Sequence, residues 1–146
     1  MERKFGPVLG QITRLIRRSF DVRARKIGVT RAQWQVLYHL REHPGVKQSG
    51  LAELLEVEPI TAGRMIDRME EAGLVERRPD PADRRAWRLH LTAQGADVMD
   101  RLEPLADETI ETALNGLPRE ERDSLFASLQ KIRTNLLRDS GAAECD

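Results

Sequence analysis

Cysteine is almost missing from this sequence: Cys145 stands alone among 146 residues. An internal disulfide framework is therefore excluded, and a reducing, cytoplasmic setting is expected. No apolar run approaches the ~20 residues that a membrane-spanning helix needs. The opening Met-Glu-Arg-Lys-Phe-Gly-Pro has no apolar stretch behind it that reads as a signal peptide. An excess of one charge is missing too. The 24 Lys+Arg balance 24 Asp+Glu at a pI near 6.9, which argues against a uniformly basic nucleic-acid coat. There is no phosphate-cradling glycine loop, no nucleophile elbow and no His-Glu zinc motif. An enzyme is not expected, and no cofactor is called for. Internal repeats and low-complexity tracts are absent.

What is present is an ordinary globular composition, 40% hydrophobic and 33% charged, in a length that suits one domain with a real core. The charge is unevenly spread. Residues 1–50 carry 11 basic and 3 acidic side chains, while 51–100 carry 7 and 11, and 101–146 carry 6 and 10. A split of this kind marks an interaction surface.

Phe5, Leu9, Ile12 and Ile16 recur at helical spacing and predict a long amphipathic helix over 5–26, ended by Gly28 in a left-handed cap. Thr30 and Gln33 form a capping box that opens a second helix, with Trp34, Leu37, Tyr38 and Leu40 on its apolar side. His43-Pro44-Gly45 breaks it. Ser49 can cap a short third helix with Leu51, Ala52, Leu54 and Leu55 inward. After the turn Glu56-Val57-Glu58, Pro59 suits the first position of a fourth helix running to about Ala72. Ala62, Met65, Ile66 and Met69 form its buried stripe, and Ile60, Thr61, Arg64 and Arg68 fall opposite.

The period then drops to two. Leu74–Arg78 and Trp87–Leu91 read as strands joined by a charged loop with two prolines, which blunt sheet extension. Thr92 caps a fifth helix to about Asn115, bent or interrupted near Pro104. Gly116 ends it and Pro118 begins a sixth. Leu125, Leu129, Ile132 and Leu136 make a coiled-coil-like seam there. Residues 139–146 are expected to be a frayed, disordered tail.

Three helices followed by a hairpin is the order of a winged helix-turn-helix, in which the second helix of a tight two-helix unit enters the major groove and the hairpin lies alongside. The expected fold is mainly α, with long N- and C-terminal helices around that unit. Thr61 and Gly63 are small or polar and allow close approach to DNA. Arg64 and Arg68, four apart, share a face, and arginine matches guanine edges and phosphate oxygens. The competing reading is a solvated face salt-bridged to Asp67 or Glu71. Trp87 is read as wing-to-core packing, with stacking on DNA as the alternative.

The run Leu51-Ala-Glu-Leu-Leu-Glu-Val-Glu-Pro59, then Asp67-Arg-Met-Glu-Glu-Ala-Gly-Leu-Val-Glu-Arg-Arg78, and above all Asp80-Pro-Ala-Asp-Arg-Arg-Ala-Trp-Arg-Leu-His-Leu-Thr92, resembles the MarR/SlyA regulators over residues 5–138. The resemblance implies a homodimeric, sequence-specific regulator, expected to be a repressor, on a pseudo-palindromic operator with half-sites about 10 bp apart. It implies a DNA-binding domain at 30–92 and a helical dimerisation region at 1–29 and 93–138. Carried onto this chain, Arg85 is the first choice for a minor-groove arginine, oriented by Asp83 through a charge-assisted hydrogen bond, with Arg84 the alternative. Ile60, Thr61, Arg64 and Arg68 face the major groove. Thr30, Arg31, Gln48 and Ser49, at helix starts, hold phosphates.

Regulators of this kind bind small aromatic anions between the dimer helices and the DNA-binding lobe, and Arg14, Arg18, Trp34, Tyr38 and His39 are the corresponding candidates. Core packing for Trp34 and Tyr38, and a solvated face for the arginines, is the alternative. Peroxide-sensing relatives use a cysteine near the N-terminus, which this chain lacks. His39 and His43 are four apart on one helix, so a metal-responsive regulator is a further alternative, though no third ligand joins them. A winged-helix dimer that serves protein–protein interaction without DNA is the remaining one.

Overall fold

A computed structural model describes residues 2–141. Cys145 and residues 142–146 of the expected tail lie outside the described residues. The chain divides into two compact units, one up to Thr109 and one from Ile110 onward.

The first unit begins with a short 3₁₀ turn, Glu2–Lys4, and α1 (Phe5–Lys26). Gly28, at φ 79°, ends that helix in the left-handed conformation that glycine adopts without steric cost. α2 (Arg31–Glu42) starts with the expected capping box: Gln33 N donates to the Thr30 hydroxyl at 3.3 Å, and Thr30 N donates to Gln33 Oε1 at 3.0 Å. α3 (Gln48–Leu55) starts one residue ahead of Ser49, with Lys47 as its cap. The reason is non-local. Gly45 N donates to Leu89 O at 3.0 Å and Leu89 N to Val46 O at 2.9 Å, so the residues before α3 are pinned to the wing and Ser49 falls inside the first turn. Glu56, at φ 55°, makes the left-handed turn into α4 (Pro59–Glu71), which has Pro59 in its first turn.

The wing is β1 (Val75–Pro79) antiparallel to β2 (Trp87–Leu91), with Val75 opposite Leu91, Arg77 opposite Leu89 and Pro79 opposite Trp87. α5 (Ala93–Ala113) opens on Thr92, whose hydroxyl accepts from Gly95 N at 3.0 Å and donates to Gly73 O at 2.6 Å. Gly95 is required there, because a Cβ would stand 2.1 Å from the Leu74 carbonyl oxygen. α5 runs uninterrupted through Pro104. The proline removes one intrahelical bond, and Leu102 and Leu105 on either side are packed onto the core.

That core is drawn from α1 to α5 and both strands: Ala24 of α1, Val36, Leu37 and Leu40 of α2, Leu51 of α3, Ile66 and Met69 of α4, Val75 of β1, Leu89 of β2, and Met99 and Leu102 of α5. Fully burying a side chain such as Leu37 or Leu89 contributes roughly 1.5–3 kcal/mol. α1 and the start of α5 share this core with 30–92, so the boundaries expected at Thr30 and Thr92 do not separate independent cores. Tyr38, expected inside, is exposed, and Val36 takes its place. Earlier along α1, Phe5, Val8, Ile12 and Leu15 are all exposed.

The second unit holds the end of α5 and α6 (Arg119–Asp139), which is capped by Pro118. Arg122 staples their turn, donating to Leu117 O at 2.9 Å, Leu114 O at 3.1 Å and Glu111 Oε1 at 2.9 Å. None of the described residues of α6 is buried; Leu125, Phe126, Leu129 and Leu136 are exposed. Among the described residues, no helix is long and apolar enough to cross a membrane.

Candidate nucleic-acid interface

Arginines decide this site, and the fold divides them into two groups. Arg77, on β1, is the most enclosed. Its guanidinium meets Asp67 at 2.7 Å and Glu70 at 3.1 Å, and donates to Gln48 Oε1 at 3.2 Å and Gly63 O at 3.3 Å. One side chain thus ties the start of α3, the middle of α4 and the wing together. Arg88 does the same for the wing base. Its Nε donates to Asp80 Oδ2 at 2.9 Å and its Nη1 to Gly45 O at 3.1 Å. Arg78 pairs with Glu76. Arg78 and Arg88 stand opposite each other across the two strands, where like charges repel, and each is neutralised by its own carboxylate.

Asp80 organises the loop. It is buried, and its Oδ1 accepts from Ala82 N at 2.8 Å and Asp83 N at 3.1 Å, while Lys47 Nζ approaches Oδ2 at 4.0 Å. The Ala82 amide, with help from Asp83, Arg88 and Lys47, outweighs the effect of burial and holds the carboxyl below the usual carboxylate range. Asp80 N donates to Ala86 O at 3.2 Å and closes the loop at its base.

At the tip, Ala86 N donates to Asp83 O at 3.2 Å, so Arg84 and Arg85 occupy the two central positions of a turn and are exposed. Asp83 meets Arg85 through the backbone: Arg85 N donates to Asp83 Oδ1 at 2.9 Å. The expected charge-assisted bond to the guanidinium is replaced by this one, because an aspartate at the first position of a turn is best placed to accept from the amide two residues on. Among the described residues, no side-chain hydrogen bond or ion pair engages Arg84, Arg85, Arg64 or Arg68. Asp67, a possible partner of the last two, is held by Arg77. Ile60, 69% exposed, and Thr61 lie with Arg64 and Arg68 on the exposed side of α4.

Not every other candidate position is exposed. Gly63 faces inward, where a Cβ would stand 3.2 Å from the Gln48 amide nitrogen; its smallness serves helix packing within the protein. Gln48 is engaged by Arg77. Ser49 is exposed in the first turn of α3. Thr30 serves its capping box. Arg31 is turned back onto Asp21, with Nε donating to Oδ2 at 2.7 Å.

Asp21 also explains Trp34, whose Nε1 donates to Asp21 Oδ1 at 2.8 Å and whose ring meets Phe20 edge-on at 4.9 Å. Burial pushes the Asp21 carboxyl up, but the bonds from Arg31 and Trp34 and the charges of Arg31 and Arg25 outweigh it and hold its pKa down. Trp34 thereby joins α1 to α2. Tyr38 and His39 lie edge-on at 5.3 Å. Burial, then the neighbouring His43, lowers the His39 pKa. Arg14 and Arg18 are exposed on α1. No group of three or more His, Cys, Asp or Glu that could hold a metal is found among the described residues.

Sequence patterns did not single out Asp80, Arg88, Arg77 or Asp21. A signal existed for Asp80, since an aspartate followed by Pro-Ala-Asp marks a side chain that caps a turn. For the other three, only the packing names the partner.

The chain is similar to known proteins in sequence and in fold. The MarR family model matches residues 29–87. The chain is 30% identical over 131 residues to the uncharacterised HTH-type transcriptional regulator YybA of Bacillus subtilis, covering 90% of this chain and 87% of that protein. It resembles the solved transcriptional regulator SlyA at TM-score 0.76 and 29% identity, over 92% of this chain and 95% of that one. It also resembles a mutant MarR from E. coli, solved complexed with operator DNA, at TM-score 0.74 and 26% identity, over 87% of this chain and 91% of that one. With its helix-turn-helix and wing in the same order, this chain belongs to the MarR family of transcriptional regulators.

Proposed function

We propose that the protein is a homodimeric repressor that binds a pseudo-palindromic DNA operator, with α4 in the major groove and the wing tip in the adjacent minor groove. The observation that carries this reading is the set of four guanidiniums without a side-chain partner among the described residues, Arg64 and Arg68 on α4 and Arg84 and Arg85 at the tip. They stand in a region whose other arginines are all engaged by carboxylates. Arginine on an exposed helix reads base edges and phosphates, and arginine in a narrow minor groove reads its negative potential. A second copy would cover the exposed apolar residues of α1 and, separately, those of α6. Leaving such stripes in water is costly.

Selection from a randomised duplex pool should return a palindromic site, and sedimentation should give a dimer at micromolar concentration. A chain that sediments at 16.6 kDa, or that enriches no duplex, overturns the proposal. Release by a small aromatic anion belongs to the same reading, with the exposed Tyr38, Arg14 and Arg18 and the half-buried His39 as its candidates. Salicylate-type acids should raise the melting temperature and free the DNA; no shift and no release would remove that part.

A further inference from the structure

Trp87 is left without a task by operator binding through arginines alone. Expected to pack from the wing into the core, it is instead 46% exposed. It stands at the outer end of β2, opposite Pro79, beyond the last buried side chain of the strand, Leu89. Its indole N–H has no hydrogen-bond partner among the described residues. With Gln48, Glu70 and Arg77 it lines an open cleft of about 410 Å³ between the α3–α4 unit and the wing. Arg77 pairs with Glu70 across that cleft and donates to Gln48 Oε1, so the four lining residues together carry no net charge.

Resting on the DNA-binding function proposed above, we propose that this cleft receives the sugar–phosphate strand that separates the major groove from the minor groove, and that Trp87 is its contact residue. The indole face would cover a deoxyribose and its N–H would donate to a phosphate oxygen. The placement follows from dimensions. Trp87 lies two residues behind Arg85, at most about 7 Å of chain. The minor groove is about 7.5 Å deep. An arginine entering the groove from the tip therefore leaves Trp87 level with the phosphate rim. The strand that forms that rim has α4 on its other side, and the cleft is the space between the two. The charge arrangement agrees: the two elements that bound the cleft, α4 and the wing, also carry the exposed Arg64 and Arg68 and the exposed Arg84 and Arg85, and the one carboxylate that lines it, Glu70, is paired with Arg77. A neutral indole adds contact there without adding charge, in keeping with a chain whose net charge is zero. Tryptophan is suited to such a seat because a large apolar ring and a single N–H donor act together.

The test uses the full chain and the duplex that it selects from a randomised pool. Trp34 and Trp87 are the two tryptophans, and the difference between wild type and Trp87→Phe isolates the signal of the second. Titration with the duplex should change that signal and protect it from acrylamide. Trp87→Ala should weaken binding about ten- to a hundredfold, the size of one hydrogen bond to a charged acceptor. Trp87→Phe should weaken it less. Both should leave the slope of log affinity against log salt unchanged, since no counterion is released by a neutral residue. If the wild type binds its duplex while Trp87 stays fully quenchable and both variants bind equally well, the inference is overturned and the DNA-binding function stands. Protection that grows with protein concentration in the absence of DNA places a second copy in the cleft and also overturns it. If the wild-type chain selects no duplex, the DNA-binding function fails, and this inference falls with it.

Discussion

The base and the tip of the wing use the same two residue types in opposite ways. At the base, Arg88 is held by Asp80 at 2.9 Å and by the Gly45 carbonyl, and Asp80 accepts two backbone amides as well. At the tip, Asp83 accepts the Arg85 amide and leaves the guanidiniums of Arg84 and Arg85 without a partner among the described residues. The base converts charge into rigidity, and the tip keeps charge available. The difference teaches how a chain of zero net charge can present a cationic edge. Residues 59–90 hold seven arginines and six acids, and the acids are concentrated on the arginines that brace the fold.

The comparison can be broken most directly at the tip. The double substitution Arg84→Ala/Arg85→Ala should lower operator affinity about a hundredfold, from roughly 1–3 kcal/mol per arginine, and reduce the salt slope. It should leave the melting temperature unchanged. Anisotropy titrations across salt, together with thermal melts, check this; a lower melting temperature with unchanged affinity would reverse the assignment of tip and base. Next in size is Asp80→Ala, which should lower the melting temperature and weaken DNA binding indirectly, by less than loss of the tip. Undiminished stability would show that the base is not a brace.

Acid sharpens the same contrast. Asp80 and Asp21 both have folded pKa values held below the ordinary 3.8. Each therefore stabilises the protein above that value and loses its contribution as pH falls through the lowered folded value. The stability gap between wild type and Asp21→Asn, about 2 kcal/mol at neutral pH for a buried acceptor of two donors, should close in acid when followed by urea denaturation. A gap that does not depend on pH would contradict the linkage. The smallest effect belongs to Lys47→Met. Lys47 reaches Asp80 only at 4.0 Å and is half exposed, so melting temperature and affinity should barely move. A large loss would transfer the brace from Arg88 to Lys47.

Much of the fold was legible because its signals are local. The Thr30–Gln33 capping box, Pro59 in a first turn, Gly28 after a helix and the two-residue alternation of Trp87 to Leu91 each act within a few residues. Exposure of the α4 face was legible from spacing alone, because helical period sorts Arg64 and Arg68 away from Ile66 and Met69. The misses share one cause. α3 begins early because Val46 is bonded to Leu89, α5 is not interrupted at Pro104 because its flanks are packed, and Arg31 turns inward because Asp21 is on the neighbouring helix. Each of these partners is distant in sequence.

The sequence by itself determined that this chain is a winged helix-turn-helix with arginines on its fourth helix and wing loop, since periodicity, caps and turn residues act at short range. Only the tertiary structure decided which arginines are free. Arg64 and Arg77 are the same residue type in similarly charged surroundings. An ion pair forms where the fold brings a carboxylate within about 3–4 Å, and that distance is a property of packed elements rather than of neighbours along the chain.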